Sequence, residues 1–170
     1  MGNEWLKSIP FNIGWYLSGF ADGEGSFNVS LRKKEYSIGW QASPSFNVSQ
    51  RDQTVLALFK RWLGCGTLRN RKDGVVYYEV TSIVSLKERV IPFFEKFQLI
   101  SSSKKTNFRI FRQIIETMSE REHLDDAGWK KILSLREELN KGHGRKRKYS
   151  INDVLESNSY PQRLYAEPNE

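Results

Sequence analysis

A single cysteine, Cys65, stands in a chain of 170 residues. One thiol excludes an internal disulfide framework and fits a reducing compartment. Cys65 lies between Gly64 and Gly66, where a packed thiol is expected rather than a nucleophile. The two histidines, His123 and His143, are far apart and have no Cys or His partner at metal-binding spacing. His123 therefore reads as a surface or helix-entry residue and His143 as part of a basic segment. No apolar run approaches the roughly 20 residues of a membrane helix. Residues 1–10 mix acid and base and lack the apolar centre of a signal peptide. The expected location is a bacterial or archaeal cytoplasm or an organellar matrix or stroma, not the exterior. A glycine-rich phosphate loop, a Ser–His–Asp order and low-complexity tracts are also missing.

What the chain has is basic charge and aromatic rings. Lys and Arg number 27 against 20 Asp and Glu, a net charge of +7, with a pI near 9.5. That balance favours a polyanionic partner, most simply nucleic acid, although a merely basic soluble protein has the same charge. Hydrophobic residues make up 38% and aromatics 13%, enough for one domain with a substantial core.

The organising stretch is Trp15-Tyr-Leu-Ser-Gly-Phe-Ala-Asp-Gly-Glu-Gly-Ser-Phe27. Pro10 and Asn12 suit a helix start, and Ile13, Tyr16, Leu17 and Phe20 recur at helical spacing and can face a core. Gly19 and Gly23 fall four apart on one side. Each costs a helix interior about 1 kcal/mol against alanine, which close helix–helix contact would offset. From residue 26 the period changes to two. Phe27, Val29 and Leu31 alternate with Asn28, Ser30 and Arg32, and a charged turn, residues 33–35, leads to a second strand over about 36–49. There Ile38, Trp40, Phe46 and Val48 share one face, and Pro44 implies an edge position or a bulge.

Asp52 can cap a helix to Leu63 with Val55, Leu56, Phe59, Trp62 and Leu63 on one stripe, and Gly64 ends it. Lys72-Asp-Gly74 marks a hairpin between residues 67–71 and 75–81. Helices are expected over about 84–97, with Pro92 as a kink or restart, over 104–118, and over 125–140 with Gly142 as the stop. The order is helix–strand–strand twice, followed by added helices, an α+β class. The expected organisation is an N-terminal arm (1–11), a domain (12–140) and a basic, polar tail (141–170). In the tail, Arg145-Lys-Arg-Lys148 reads as a phosphate clamp or a solvated basic run.

The polar strand faces carry chemistry. Asn28, Ser30, Arg32 and Lys34 lie on the first, Gln41, Ser45, Asn47 and Ser49 on the second, and Arg69, Arg71, Tyr77 and Glu79 on the second hairpin. Arg, Asn and Gln read base edges in a major groove, and a solvated face would carry more Lys and Glu. The acids Asp22 and Glu24 end the first helix, where a carboxylate meets the negative end of the dipole unless a cation is bound. Glu24 with the carbonyl of Gly23 offers hard oxygen ligands suited to Mg²⁺.

The stretch Leu17-Ser-Gly-Phe-Ala-Asp-Gly-Glu-Gly25 resembles the LAGLIDADG motif, and the element order is similar to the αββαββα fold of the LAGLIDADG homing endonucleases over about residues 12–140. The resemblance implies an antiparallel DNA-binding sheet and an Mg²⁺-dependent, intron-encoded DNA endonuclease. Mn²⁺ or Ca²⁺ can occupy the site of such an enzyme, Ca²⁺ unproductively. It places the essential metal ligand on Glu24 with the Gly23 carbonyl, and makes Asp22 more structural. It makes Gln50 the residue that positions water and Lys104 the catalytic lysine, with Lys105 as the alternative. A single motif implies a homodimer through Leu17, Ser18, Gly19, Ala21 and Asp22, acting on a long pseudo-palindromic double-stranded site and leaving short 3′ overhangs. An RNA maturase binding its own intron and a non-catalytic DNA-binding regulator are the alternatives on this scaffold.

Overall fold

The computed structural model describes residues 4–34, 39–141 and 147–157. Tyr36, Ile38, Gly142, His143, Arg145 and Lys146, for which expectations were given above, lie outside them. A short helix α1 (Glu4–Lys7) leads to α2 (Phe11–Glu24), β1 (Gly25–Lys33), β2 (Trp40–Gln50), α3 (Thr54–Leu63), β3 (Thr67–Asn70) and β4 (Val76–Val80). A helical rod follows, built from α4 (Ile83–Ser85), a π-helical turn (Leu86–Val90) and α5 (Ile91–Lys96). Next come α6 (Ser102–Ser119), a 3₁₀ turn (Glu122–Leu124), α7 (Asp126–Glu138) and α8 (Ile151–Leu155). The wide turn sits just before Pro92, whose missing N–H would break an α-helical ladder there. The expected kink is thus a π-turn within a continuous rod.

The four strands form one antiparallel sheet in the order β1-β2-β4-β3. Phe27, Val29, Leu31, Trp40, Ala42, Phe46, Val48, Val76, Tyr78 and Val80 are buried on one face under the helices, and their alternates lie on the other, as the period of two requires. The core is aromatic at its centre: Phe27 stacks on Phe46 at 5.3 Å and meets Phe94 and Phe111 within 5.5 Å.

β1 is an edge strand, and unpaired edge carbonyls need partners when covered by protein. Those of Gly25, Phe27 and Val29 point away from β2. Lys104 Nζ donates to the first, Asn140 Nδ2 to the second at 2.8 Å and Arg136 Nε to the third at 3.0 Å. Because Val29 points outward, its cross-strand pair with Pro44 is of the non-hydrogen-bonded kind. On its other side Pro44 precedes the stretch of β2 that β4 reaches, which begins at Phe46. The missing N–H therefore costs the sheet nothing, and the register is regular with no bulge.

Three differences from expectation concern the ends of the fold. Residues 4–11 pack on the body: Leu6 and Ile9 are buried, Lys96 Nζ donates to the Leu6 carbonyl at 2.8 Å, and Phe11 already belongs to α2. α7 ends at Glu138, and a left-handed residue, Asn140 with φ 56°, follows it; Gly142, the expected stop, lies outside the described residues. Asn140 is held there by its side chain on Phe27 and by its N–H on Asn107 Oδ1 at 2.9 Å. Within the expected tail, residues 147–157 are folded onto the body, and Val154 is fully buried.

Arg136 is buried. Burial lowers its pKa, as does the nearby Arg147 charge, and Glu137 partly offsets both. Replacing it by methionine leaves the Val29 carbonyl without its donor, so Arg136→Met is expected to lower unfolding stability by about 1–3 kcal/mol. A urea titration checks this; an unchanged midpoint contradicts the edge role.

Candidate metal and nucleic-acid site

The site is built where α2 ends and β1 begins. The turn is tight: the Gly25 N–H donates to the Ala21 carbonyl, and a Cβ on Gly25 would lie 2.6 Å from that same oxygen. Glycine is required here by close approach, since its φ of −76° is open to any residue. With the chain turning into a strand, Gly23 lies in the last turn of α2, where backbone carbonyls lack a following helical N–H. Glu24 is the exposed last residue of the helix.

Asp22 ties this end to α6. Its carboxylate accepts from Ser101 Oγ at 2.7 Å, the Ser101 N–H at 2.9 Å and the Ile100 N–H at 3.3 Å. Burial pushes its pKa up, but these hydrogen bonds and the Lys104 charge outweigh burial and hold the carboxyl below the ordinary carboxylate value. Lys104, in the first turn of α6, reaches back to the Gly25 carbonyl. Burial lowers its pKa, and the carboxylates of Asp22 and Glu24 partly offset that. Lys105 is exposed on the other side of the helix, so Lys104 is the lysine brought to the acids. Gln50 stands two residues past the Gly25–Val48 pair, at the edge where α2 ends, and its Oε1 accepts from the Arg51 N–H at 2.8 Å.

The outer sheet face carries the expected polar residues in cross-strand rows: Asn28 opposite Ser45, Ser30 opposite Ser43, Arg32 opposite Gln41, Asn47 opposite Glu79, Ser49 opposite Tyr77, and Arg69 opposite Tyr77. Arg69 lies 3.8 Å from Glu79. Arg71 donates to Tyr77 Oη at 2.6 Å and pairs with Asp73 at 2.8 Å. Lys34 follows β1, exposed. Arg147 is not part of an exposed phosphate clamp: its guanidinium is spent on the carbonyls at the end of α7.

The expected interface needs correction. Leu17, Ser18 and Ala21 are at most 1% exposed, and Ser18 Oγ donates to the Phe97 carbonyl at 2.7 Å. These three belong to the chain's own core, and Asp22 is committed to α6. Of the five residues, Gly19 lies on the exposed side, together with Gly23, and neither has any atom within 4 Å of where a Cβ would be. The same ridge, at spacing four, continues backward through Trp15 and Phe11, 37% and 72% exposed. Tyr16, assigned above to the core, is half exposed. The visible clue was a row of four positions holding two rings and then two glycines.

Among the described residues no group of three or more His, Cys, Asp or Glu could hold a metal ion. One chain brings one free carboxylate and one carbonyl to the α2 terminus, a hard-oxygen but incomplete donor set. Among the described residues no helix is long and apolar enough to cross a membrane.

The profile of the LAGLIDADG endonuclease family matches residues 17–115, which begins on Leu17 and runs through Glu24, Gln50 and Lys104. The chain belongs to the LAGLIDADG homing endonuclease family. A probable intron-encoded endonuclease 2 of Neurospora crassa is 34% identical over 145 residues, covering 82% of this chain and 32% of the relative. The chain thus spans about a third of that relative's length. The crystal structure of the homing endonuclease I-TnaI superposes with a TM-score of 0.70 at 33% identity, covering 79% of this chain and 92% of that one. I-SmaMI bound to its uncleaved DNA target with calcium ions gives 0.71 at 33%, covering 78% of this chain and 46% of that one. The four-stranded antiparallel sheet with helices on one face is the fold of these LAGLIDADG proteins.

Asp22→Ala is expected to cost about 1–2 kcal/mol of stability near neutral pH by freeing the α6 amides. A carboxyl with a depressed folded pKa stabilises above its unfolded value, about 3.9, and that contribution fades as pH falls through the folded value. The wild-type advantage in thermal melts should therefore shrink below about pH 4; an advantage independent of pH contradicts the charged cap.

Proposed function

We propose that the chain is a site-specific DNA endonuclease that works as a homodimer, requires Mg²⁺ and cuts both strands of a long pseudo-palindromic site with short 3′ overhangs, in the service of intron homing. The observation that carries this reading is the half-site at the end of α2: Glu24 and the Gly23 carbonyl beside an exposed ridge made bare by Gly19 and Gly23. Two copies packed on that ridge bring two such half-sites together, and paired carboxylates favour a bound cation. The glycines allow the helix axes to approach more closely than the usual spacing of about 8–10 Å, while Phe11 and Trp15 hold the opposite ends apart. Ile100, 75% exposed, adds an apolar side chain beside the pair. The match to 92% of I-TnaI and to 46% of I-SmaMI supports one chain of this kind acting as half of a complete site.

The residues present fit a divalent cation. Glu24 and the Gly23 carbonyl would hold it, with the remaining positions left to the second copy, water and phosphate oxygens. Such an ion supplies water activation and stabilisation of the leaving oxygen. Gln50 orients the water. Lys104, fixed on Gly25 and flanked by two carboxylates, presents an ammonium toward the phosphate. The sheets fix the DNA by phosphate contacts and read it through Asn28, Ser30, Arg32, Lys34, Gln41, Asn47, Ser49, Arg69, Arg71, Tyr77 and Glu79.

Two variants test this. Glu24→Gln should lower cleavage by about 10²–10³-fold or more while specific DNA affinity changes less than about tenfold, measured by single-turnover cleavage and binding; lost binding with retained cutting would sink the assignment. Gly19→Leu should leave the chain folded, with an unchanged circular-dichroism spectrum, since leucine has the higher helix propensity and its Cβ meets no atom of the chain. Yet it should move sedimentation from twice the chain mass to 19.9 kDa. A dimer that survives the leucine refutes pairing through this ridge.

A further inference from the structure

The folded segment 147–157 lies outside the cleavage site and is fastened at three points. Arg147 donates to the carbonyls of Arg136 at 2.6 Å, Leu139 at 2.5 Å and Glu137 at 3.3 Å, and pairs with Glu137 Oε2 at 2.6 Å. These are carbonyls that a helix C-terminus leaves without partners, at the end where a cation is favoured. Tyr149 meets Trp40 edge-on at 4.9 Å. Beyond it α8, opened by a Ser150–Asp153 capping box, buries Val154, and Ser157 Oγ accepts from Trp40 Nε1 at 2.9 Å.

Two of the three attachments end on Trp40, the first residue of β2, paired with Lys33. Between Trp40 and Ser45 β2 is joined to β1 alone, because β4 reaches only as far as Phe46. A two-stranded ribbon is marginal by itself. This one carries Arg32 opposite Gln41 on its outer face, about 23 Å along the strand from Gly25. On its inner face Trp40 is buried against Tyr149 and Ser157.

We propose that residues 147–157 are a strap that sets the position of the distal β1–β2 ribbon, making Arg32 and Gln41 specificity determinants for the outer flank of each half-site and Tyr149 a positioning residue for them. The proposal rests on the DNA-reading role proposed above. Paired hydrogen bonds to a base edge demand a fixed backbone, and the strap holds the inner face of a ribbon whose β2 strand has no second sheet neighbour between Trp40 and Ser45.

The test compares wild type, Tyr149→Ala and Tyr149→Phe. In hydrogen exchange without DNA, Tyr149→Ala should lose about tenfold or more of its amide protection in residues 29–33 and 40–44, with residues 46–50 unchanged and Tyr149→Phe like wild type. In site selection with DNA, Tyr149→Ala should lose roughly tenfold of its base preference at the outer flank, keeping preference near the centre and the single-turnover rate at saturating DNA. If Tyr149→Ala does not fold, Ser157→Ala provides the same comparison with a smaller loss of protection. Unchanged ribbon protection, or loss of preference spread evenly over the site, overturns the strap. A wild type with no base preference at all overturns the DNA-reading role instead, and the exchange data still decide the strap.

Discussion

The end of α2 is fixed by a reciprocal tie to the start of α6. Asp22 accepts three hydrogen bonds from Ile100 and Ser101, and Lys104 returns one to the Gly25 carbonyl. Residues 79 apart in the chain thereby lock two helices at one corner. The tie leaves Glu24 exposed at the helix end and holds a lysine beside it whose charge it shares with Asp22. It also fixes where β1 starts, and through the register with β2 it fixes Gln50. Acid, amide and lysine come from three elements, and this corner is what gathers them.

The same economy runs along β1. An edge strand in the body of a protein would leave a row of unpaired carbonyls; here Lys104, Asn140 and Arg136 take successive outward ones. From Gly25 to Val29 the edge of β1 is thus closed to pairing with another sheet. Its outer face remains open to a polyanion, and the ridge of α2 remains open to a second chain. The molecule offers two surfaces of different character, a polar, arginine-bearing sheet and an aromatic-to-glycine helix ridge, and the acids sit where they meet.

Much of this was legible in the sequence. Alternation assigned the inward and outward residues of β1 and β2 because a period of two permits no third arrangement, and the hairpin at Asp73-Gly74 followed from turn chemistry. The direction of α2 was not legible. Its core side is made of Gly14, Leu17, Ser18 and Ala21, while rings lie on its exposed side, so the ordinary link between apolarity and burial is inverted. Small residues suggest an interface, yet two of them, Ser18 and Ala21, serve the chain's own packing. Long-range ties were equally hidden. Nothing near Asp22 announces Ser101, and Arg147, one letter in a basic run, is withdrawn from solvent by carbonyls that only the folded α7 presents.

The central claim is that two copies of this chain assemble one cutting site across a symmetric target. Selection of cleaved molecules from a random double-stranded DNA library with Mg²⁺ tests it most directly. The expected result is enrichment of one long sequence whose two halves are related by a twofold axis, cut on both strands about that axis. Enrichment of an asymmetric sequence, or no cleaved molecules at all, would contradict it.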